Sequence, residues 1–210
     1  MALRLNGSSS GYVELDVPAD AGSHTLTLPD GGGSSGQYLQ TNGSGGLSWA
    51  GVTTGKILQV SSATKTDTQS TASSSPVDIT DLSVTMSVAS SSNKLLITGF
   101  VVLGFYSDVN RSVVIDVNGS AVGSGDAAGS RTTAHTGGNY ASADDRWKTI
   151  CAPVNFLYQC TASGSHTVKL RFFNGDTSGQ SLYVNRSQLD DNASYQTRYV
   201  STLTVSEVQG

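Results

Sequence analysis

Leu182-Tyr183-Val184-Asn185-Arg186-Ser187, then a polar turn, then Tyr195-Gln196-Thr197-Arg198-Tyr199-Val200-Ser201-Thr202-Leu203-Thr204-Val205-Ser206-Glu207-Val208 is the strand-loop-strand unit that decides the fold. Its second half is dense in β-branched and aromatic residues, which suit a pleated, half-buried surface. From Val200 to Val208, Leu203, Val205 and Glu207 alternate with Thr202, Thr204 and Ser206. That is the period of a strand with one face in a core. So long a closing strand is expected to thread the middle of a sheet, with upstream strands beside it.

Working back, the chain from Gly55 onward reads as one packed domain. Strands are expected at Lys56–Val60, Leu82–Val88, Lys94–Leu103, Ser112–Val117, Ala121–Val122, Trp147–Cys160, His166–Phe173 and Leu182–Asn185. Asn118-Gly119 marks a tight hairpin turn. Lys94–Leu103 is the most continuously apolar run and is expected at the centre of a sheet. Ser61 to Ser75 is a polar stretch, either an extended edge or a crossing loop, and Gly123 to Asp145 reads as mostly polar loop. About eight principal strands over ~155 residues predict an antiparallel, jelly-roll-like β-sandwich for residues 55–210.

Residues 1–54 differ. Tyr12–Val17 and His24–Leu28 each alternate and are joined by Pro18 to Gly22; a glycine-rich loop from Pro29 to Gly36 follows. Gln37 to Trp49 then forms a hairpin-like pair around an Asn-Gly turn. Leu15, Val17, Leu26, Leu28, Tyr38, Leu39, Leu47 and Trp49 are too few to close a core. They are expected to meet further copies of the chain in an intertwined stalk, because a two-stranded fragment alone is marginal.

Composition agrees with an all-β protein. Charged residues are only 13% and glycines number 24, while net charge is −4 with no Lys/Arg run. Nucleic-acid binding through a phosphate-neutralising patch is therefore not expected. The start, Met1 to Gly7, lacks the apolar run of a signal peptide, and no segment approaches a membrane-spanning helix of ~20 apolar residues. Cys160 follows Val154, Phe156 and Tyr158 at even spacing, so it reads as a buried free thiol on the core face of a strand. Along one extended strand, Cys151 and Cys160 would stand roughly 30 Å apart, beyond disulfide reach.

Apparent chemical motifs lack their context. Gly7-Ser8-Ser9-Ser10-Gly11 fits the nucleophile-elbow pattern without a helix after it, and reads as a turn. Gly31, Gly33 and Gly36 fit a dinucleotide fingerprint, yet strand and turn follow them. His24, His135 and His166 are scattered, with no Cys or acids at metal-ligand spacing. Asp144-Asp145 and Asp190-Asp191-Asn192 read as turn formers rather than calcium ligands. As adjacent pairs in extended chain, their carboxylates point to opposite faces, which suits glycosidic acid/base chemistry poorly. Six Asn-x-Ser sequons, at Asn6, Asn42, Asn110, Asn118, Asn185 and Asn192, are by-products of composition. Neither a catalytic role nor a cofactor or metal is expected.

The segment from Arg131 to Lys148 is the best binding candidate. Arg131, His135, Tyr140, Arg146 and Trp147 sit there among Gly, Ser, Thr and Asp, a mixture that favours recognition surfaces. Trp147 has a second reading, the favoured one, as the first core residue of the next strand.

Four stretches carry a resemblance. Gly123 to Arg131, Leu182 to Ser187 and Ser201 to Val208 resemble a β-rich domain of tailed-phage virion proteins, familiar from cyanophages and other marine phages. Gly36-Gln37-Tyr38-Leu39-Gln40-Thr41-Asn42-Gly43-Ser44-Gly45-Gly46-Leu47-Ser48-Trp49 is similar to a segment that recurs in phage fibre proteins. The resemblance implies a virion surface protein, often trimeric, with a jelly-roll head and no catalytic residues. With only about fifty residues before the head, it points to a short tail fibre or adhesin contacting a host-surface glycan or protein. The alternative is a capsid decoration or head-fibre protein. The expected partners are further copies of the chain as a homotrimer and other virion proteins, docked through the N-terminal segment, without membrane insertion.

Overall fold

The computed structural model describes residues 3–16, 19–20, 22–51, 56–105, 110–138, 146–175 and 179–210. The chain divides into two compact units, Met1–Thr53 and Thr54–Gly210. The described residues are all β, loop and turn, without a helix.

In the first unit, β1 (Leu3–Asn6) pairs antiparallel with β2 (Tyr12–Leu15), and β3 (Gln37–Thr41) with β4 (Leu47–Gly51). Gly7 to Gly11 is the turn of the first hairpin, closed by Gly7 N donating to Gly11 O at 2.9 Å. This corrects one expectation. Tyr12–Leu15 folds back on Leu3–Asn6, and the alternating run His24–Leu28 contributes only an isolated bridge from Thr27 to Gly46. The second hairpin explains this. Asn42 Oδ1 accepts from Ser44 N and Gly46 N, holding a wide turn onto which Thr27 docks through Gly45 O and Leu47 N. A side chain on Gly45 (φ +92°) would collide with Thr25 O.

The second unit is a sandwich of two antiparallel sheets. Its strands are β5 (Ile57–Lys65), β6 (Gln69–Thr71), β7 (Val77–Val88), β8 (Lys94–Phe105), β9 (Arg111–Val117), β10 (Ser120–Val122), β11 (Thr136–Gly138), β12 (Thr149–Gln159), β13 (Gly164–Asn174), β14 (Leu182–Val184) and β15 (Ser201–Val208). Three pairs are broken halves of single strands. β5 and β6 lie in one line along β15 and β14, β14 and β15 lie in one line along β8, and β10 and β11 lie in one line along β9. Counted so, there are eight strand positions. One sheet runs first-eighth-third-sixth (β5/β6, β14/β15, β8, β12), the other second-seventh-fourth-fifth (β7, β13, β9, β10/β11). These interleaved Greek keys are a jelly roll. The expected fold class holds, with β15 threaded between β5 and β8 and with β8 central.

The core fills from both sheets. Leu82, Val84, Met86 and Val88 of β7 and Val168, Leu170 and Phe172 of β13 meet Leu95, Ile97, Val101 and Leu103 of β8 and Leu203 and Val205 of β15. Each contributes about 1.5–3 kcal/mol by leaving water. Cys160 is buried and free, as its spacing predicts, and Cys151 is exposed and free.

Four elements depart from expectation. β7 starts at Val77 because a bulge opposite Lys169/Arg171, with Asp81 at φ 66°, flips the inward parity from Ile79 to Leu82 and so breaks the alternation in sequence. The polar stretch after Ser61 takes its expected form of an extended edge, as β5 to Lys65 and then β6, whereas β11 forms within the expected loop. Tyr195 to Val200 is loop rather than the start of the closing strand. β12 begins at Thr149, and Trp147 is 47% exposed instead of heading the core.

Candidate recognition surface

The strand registers set the two ends of the sandwich apart. At one end the links are tight: residues 89–93, the Asn118-Gly119 turn with both residues at positive φ, and residues 160–163. β5 starts and β15 stops at this end. At the other end β6 stops and β7 starts, β8 stops and β9 starts, β11 stops and β12 starts, and β13 stops and β14 starts. Two excursions leave mid-strand: residues 123–135 between β10 and β11, and residues 185–200 between β14 and β15.

The base of the 185–200 excursion is a buried polar knot. Asn185, at φ 62° and fully buried, donates through Nδ2 to Lys65 O (2.8 Å) and Asp67 O (2.9 Å). Its N–H donates to Val102 O at 2.9 Å, and Ser201 Oγ donates to its Oδ1 at 2.6 Å. Val102 N in turn donates to Ser201 Oγ at 3.0 Å. These side chains replace the ladder bonds that the broken strand gives up. Below them the fully buried Lys65 donates to Asp67 Oδ1 and Thr80 Oγ1, both at 2.7 Å, and its hydrogen bond holds the Asp67 carboxyl below its ordinary pKa.

Above the knot the excursion reaches the loop-bearing end. Leu189 N donates to Arg146 O at 3.1 Å, and Tyr195 stacks on Trp147 with ring centroids 5.6 Å apart. Both rings are open to solvent, Tyr195 at 71%. The same excursion forms a pocket of about 320 Å³ lined by Arg186, Ser187, Asp190, Asp191, Gln196 and Arg198, among others. Asp190 pairs with Arg198 at 2.7 Å and with Arg186 at 3.7 Å, and Arg186 lies over the Tyr183 ring at 4.1 Å.

The structure therefore separates the residues singled out in sequence. Arg146 and Trp147 join residues 185–200. Arg131 lines a different groove with Asn110, Ser112, Thr132, Phe173 and Gly175. His135 sits back against β12: its Nδ1 lies 2.8 Å from Gly123 O, Nε2 accepts from Asn155 N at 3.3 Å, and its ring meets Phe156 edge-on. That is a strap holding the first excursion down. Tyr140 lies outside the described residues, as do Asp144, Asp145 and, in the first unit, Val17. Tyr195, Arg186, Gln196 and Arg198 were missed as site residues because in sequence they read as strand and turn.

A groove of about 550 Å³ on the outer face of β7, β13 and β9 is charged but self-satisfied. Lys169 and Arg171 both pair with Asp78, at 2.7 and 3.0 Å, and Arg171 also faces Asp116. Asp78 holds Lys169 above its ordinary pKa. Opposite charges on register neighbours make this a cross-strand brace. Among the described residues no group of three or more His, Cys, Asp or Glu is placed to hold a metal ion.

In the first unit no described residue is buried. Leu15, Leu26 and Leu28 are exposed at 63%, 67% and 68%, and Tyr38 and Leu39 are nearly half exposed. Register puts Leu5, Val13 and Leu15 on one face of the first hairpin, while Arg4 stacks on Tyr12 and pairs with Glu14 on the other. Leu47 and Trp49 are partly covered: the indole N–H donates to Gly31 O at 2.6 Å, and the ring rests on Gly33.

No known protein family matches the chain, and neither does any curated protein sequence. Among solved structures, one described as "Structure of infectious bursal disease virus Gx strain" aligns over 98% of this chain and 44% of that one, at 16% identity and a TM-score of 0.37. The chain thus spans less than half of that protein's length. A likeness of this size transfers no role.

Proposed function

We propose that the protein is a non-enzymatic virion component: a tail-fibre-type adhesin in which residues 1–54 assemble copies of the chain into a trimer and dock it on the particle, and the jelly roll presents its loop-bearing end to a host surface. One observation carries this reading. Among its described residues the first unit buries none and displays Leu5, Val13, Leu15, Leu26 and Leu28 to solvent, whereas the second unit has a core of its own. Exposed apolar area of this kind calls for an occupant, and a symmetric assembly of the same segment supplies one. Trimerisation would multiply weak contacts at the loop end by avidity.

Polarity of the head supports the same reading. Its first strand begins at the tight-turn end, and the aromatic and arginine side chains gather at the opposite end.

A second reading, capsid decoration, draws on the outer edges of the β1–β2 ribbon, which pair with no other described strand. Strand addition to a capsid protein would use those edges. Immunogold electron microscopy of intact particles tests both. Label confined to the tail is the expected result; label spread over the capsid would establish decoration, and absence of label would overturn a virion role.

A further inference from the structure

The geometry points to the pocket of the 185–200 excursion as a binding site for a neutral, hydroxyl-rich saccharide, an inference that rests on the adhesin role above and names its ligand class. Two features of the excursion select that chemistry. The first is not in the pocket's lining but on the same excursion: the exposed Trp147–Tyr195 pair, with ring centroids 5.6 Å apart and planes tilted by 52°, where Tyr195 directly precedes the lining residue Gln196. Large rigid rings left in water offer an apolar face with a polar rim, which fits the C–H face of a sugar ring and orders few torsions on binding.

The second feature is the polar lining. Arg198 places donors beside the Asp190 carboxylate, with contacts of 2.7 and 2.8 Å to its two oxygens, so planar donor and acceptor groups stand side by side. A sugar hydroxyl both donates and accepts, and vicinal hydroxyls match such a pair. The Gln196 side chain has one end on Ser187 Oγ at 2.9 Å, while its amide nitrogen is buried without a partner among the described residues. Its unmet donor, in a residue of the pocket wall, is one that a ligand hydroxyl or a water satisfies once the side chain turns outward.

Charge decides between neutral and anionic ligands. Arg186 and Arg198 are matched by Asp190 and Asp191, and Asp190 lies within 3.7 Å of both guanidinium groups. An acidic glycan or a phosphate would have to displace that carboxylate and would meet no net positive field. The site is also preformed. Arg186 is held against Tyr183, and the excursion's base is tied to three strands through Asn185 and Ser201.

The test passes the full-length protein over immobilised dextran, mannan and arabinogalactan, with alginate and heparin as anionic counterparts. Retention on at least one neutral polymer is expected, reduced at least tenfold in Trp147→Ala, Tyr195→Ala and Gln196→Ala and unchanged in Lys169→Ala on the outer sheet groove. Trp147 and Tyr195 are exposed, so their variants keep the wild-type melting temperature and report on the site. Retention on none of the neutral polymers, retention on anionic polymers alone, or variants that bind like wild type would overturn the assignment. Adsorption of the protein to the cells the particle infects separates the two levels. Wild-type adsorption undiminished in Tyr195→Ala refutes this site and leaves the adhesin role standing, whereas no adsorption at all refutes the adhesin role.

Discussion

Ser201 Oγ donates to Asn185 Oδ1 at 2.6 Å, joining the first residue of the closing strand to the residue that leaves the strand before it. The bond closes the neck of a loop of sixteen positions, residues 185–200, so that β14 and β15 act as one strand along β8 while everything between them projects. Asn185→Gly keeps the left-handed backbone and deletes three side-chain hydrogen bonds in a buried site. The expected loss is about 2–4 kcal/mol, a fall in Tm of roughly 5–15 °C by thermal denaturation. An unchanged Tm would mean the knot is dispensable.

Glu207 does the corresponding work at the tight-turn end. Its buried carboxylate accepts from Gln59 Nε2, Asn93 Nδ2 and Ala89 N, tying β15 to β5 and to the link between β7 and β8. Burial pushes its pKa up, but the three hydrogen bonds and the nearby His166 outweigh that and leave it below the ordinary value of 4.5. A depressed carboxyl stabilises the fold above its unfolded pKa and ceases to do so as pH falls through the folded one. Head stability is therefore expected to decline from about pH 4.5 downward, and Glu207→Gln to flatten that decline while lowering stability at pH 7. Urea titrations at pH 7 and at successively lower pH check the sign; an acid dependence equal in variant and wild type would contradict it.

Burial raises the pKa of the Cys160 thiol, whereas Cys151 is exposed. Since the thiolate is the reactive form, a thiol reagent at pH 7.5 is expected to label one cysteine per native chain and two after denaturation. Intact mass spectrometry counts the labels. Two rapid labels in the native protein would show that the β12 register is wrong.

Gly104 carries the excursion on its back. A Cβ there would collide with Arg186 O and crowd Ser187 Cα. Gly104→Ala is expected to cost about 1–3 kcal/mol and to loosen residues 185–200 before the core. Hydrogen exchange should show faster exchange at Leu189 N and Tyr199 N, whose acceptors are Arg146 O and Asn185 O. Uniform protection equal to wild type would place the loop's anchorage elsewhere.

Much of the head was legible because its strands carry their own pattern. Leu203 and Val205 on β15, Leu82 to Val88 on β7 and the apolar run of β8 declare a buried face residue by residue. What stayed hidden has no such pattern. Gln69–Thr71 and Thr136–Gly138 are strands only because β14 and β9 offer ladder partners. Lys65 reads as a surface residue and is fully buried because Asp67 and Thr80 meet its ammonium. Trp147 and Tyr195 are far apart in sequence, and only the jelly-roll crossover brings a link at one strand's start against an excursion of another. Conversely, His24–Leu28 has the alternation of a strand but makes only the single Thr27–Gly46 bridge among the described residues.

The central claim is that the first unit is completed by other copies of the chain. Size-exclusion chromatography with multi-angle light scattering on the full-length protein at micromolar concentration tests it directly. The predicted mass is about three times the 21.7 kDa of one chain, falling to that of one chain when Leu15 and Leu28 are both replaced by Asp. A folded, monodisperse 21.7 kDa species for the wild type would contradict the account.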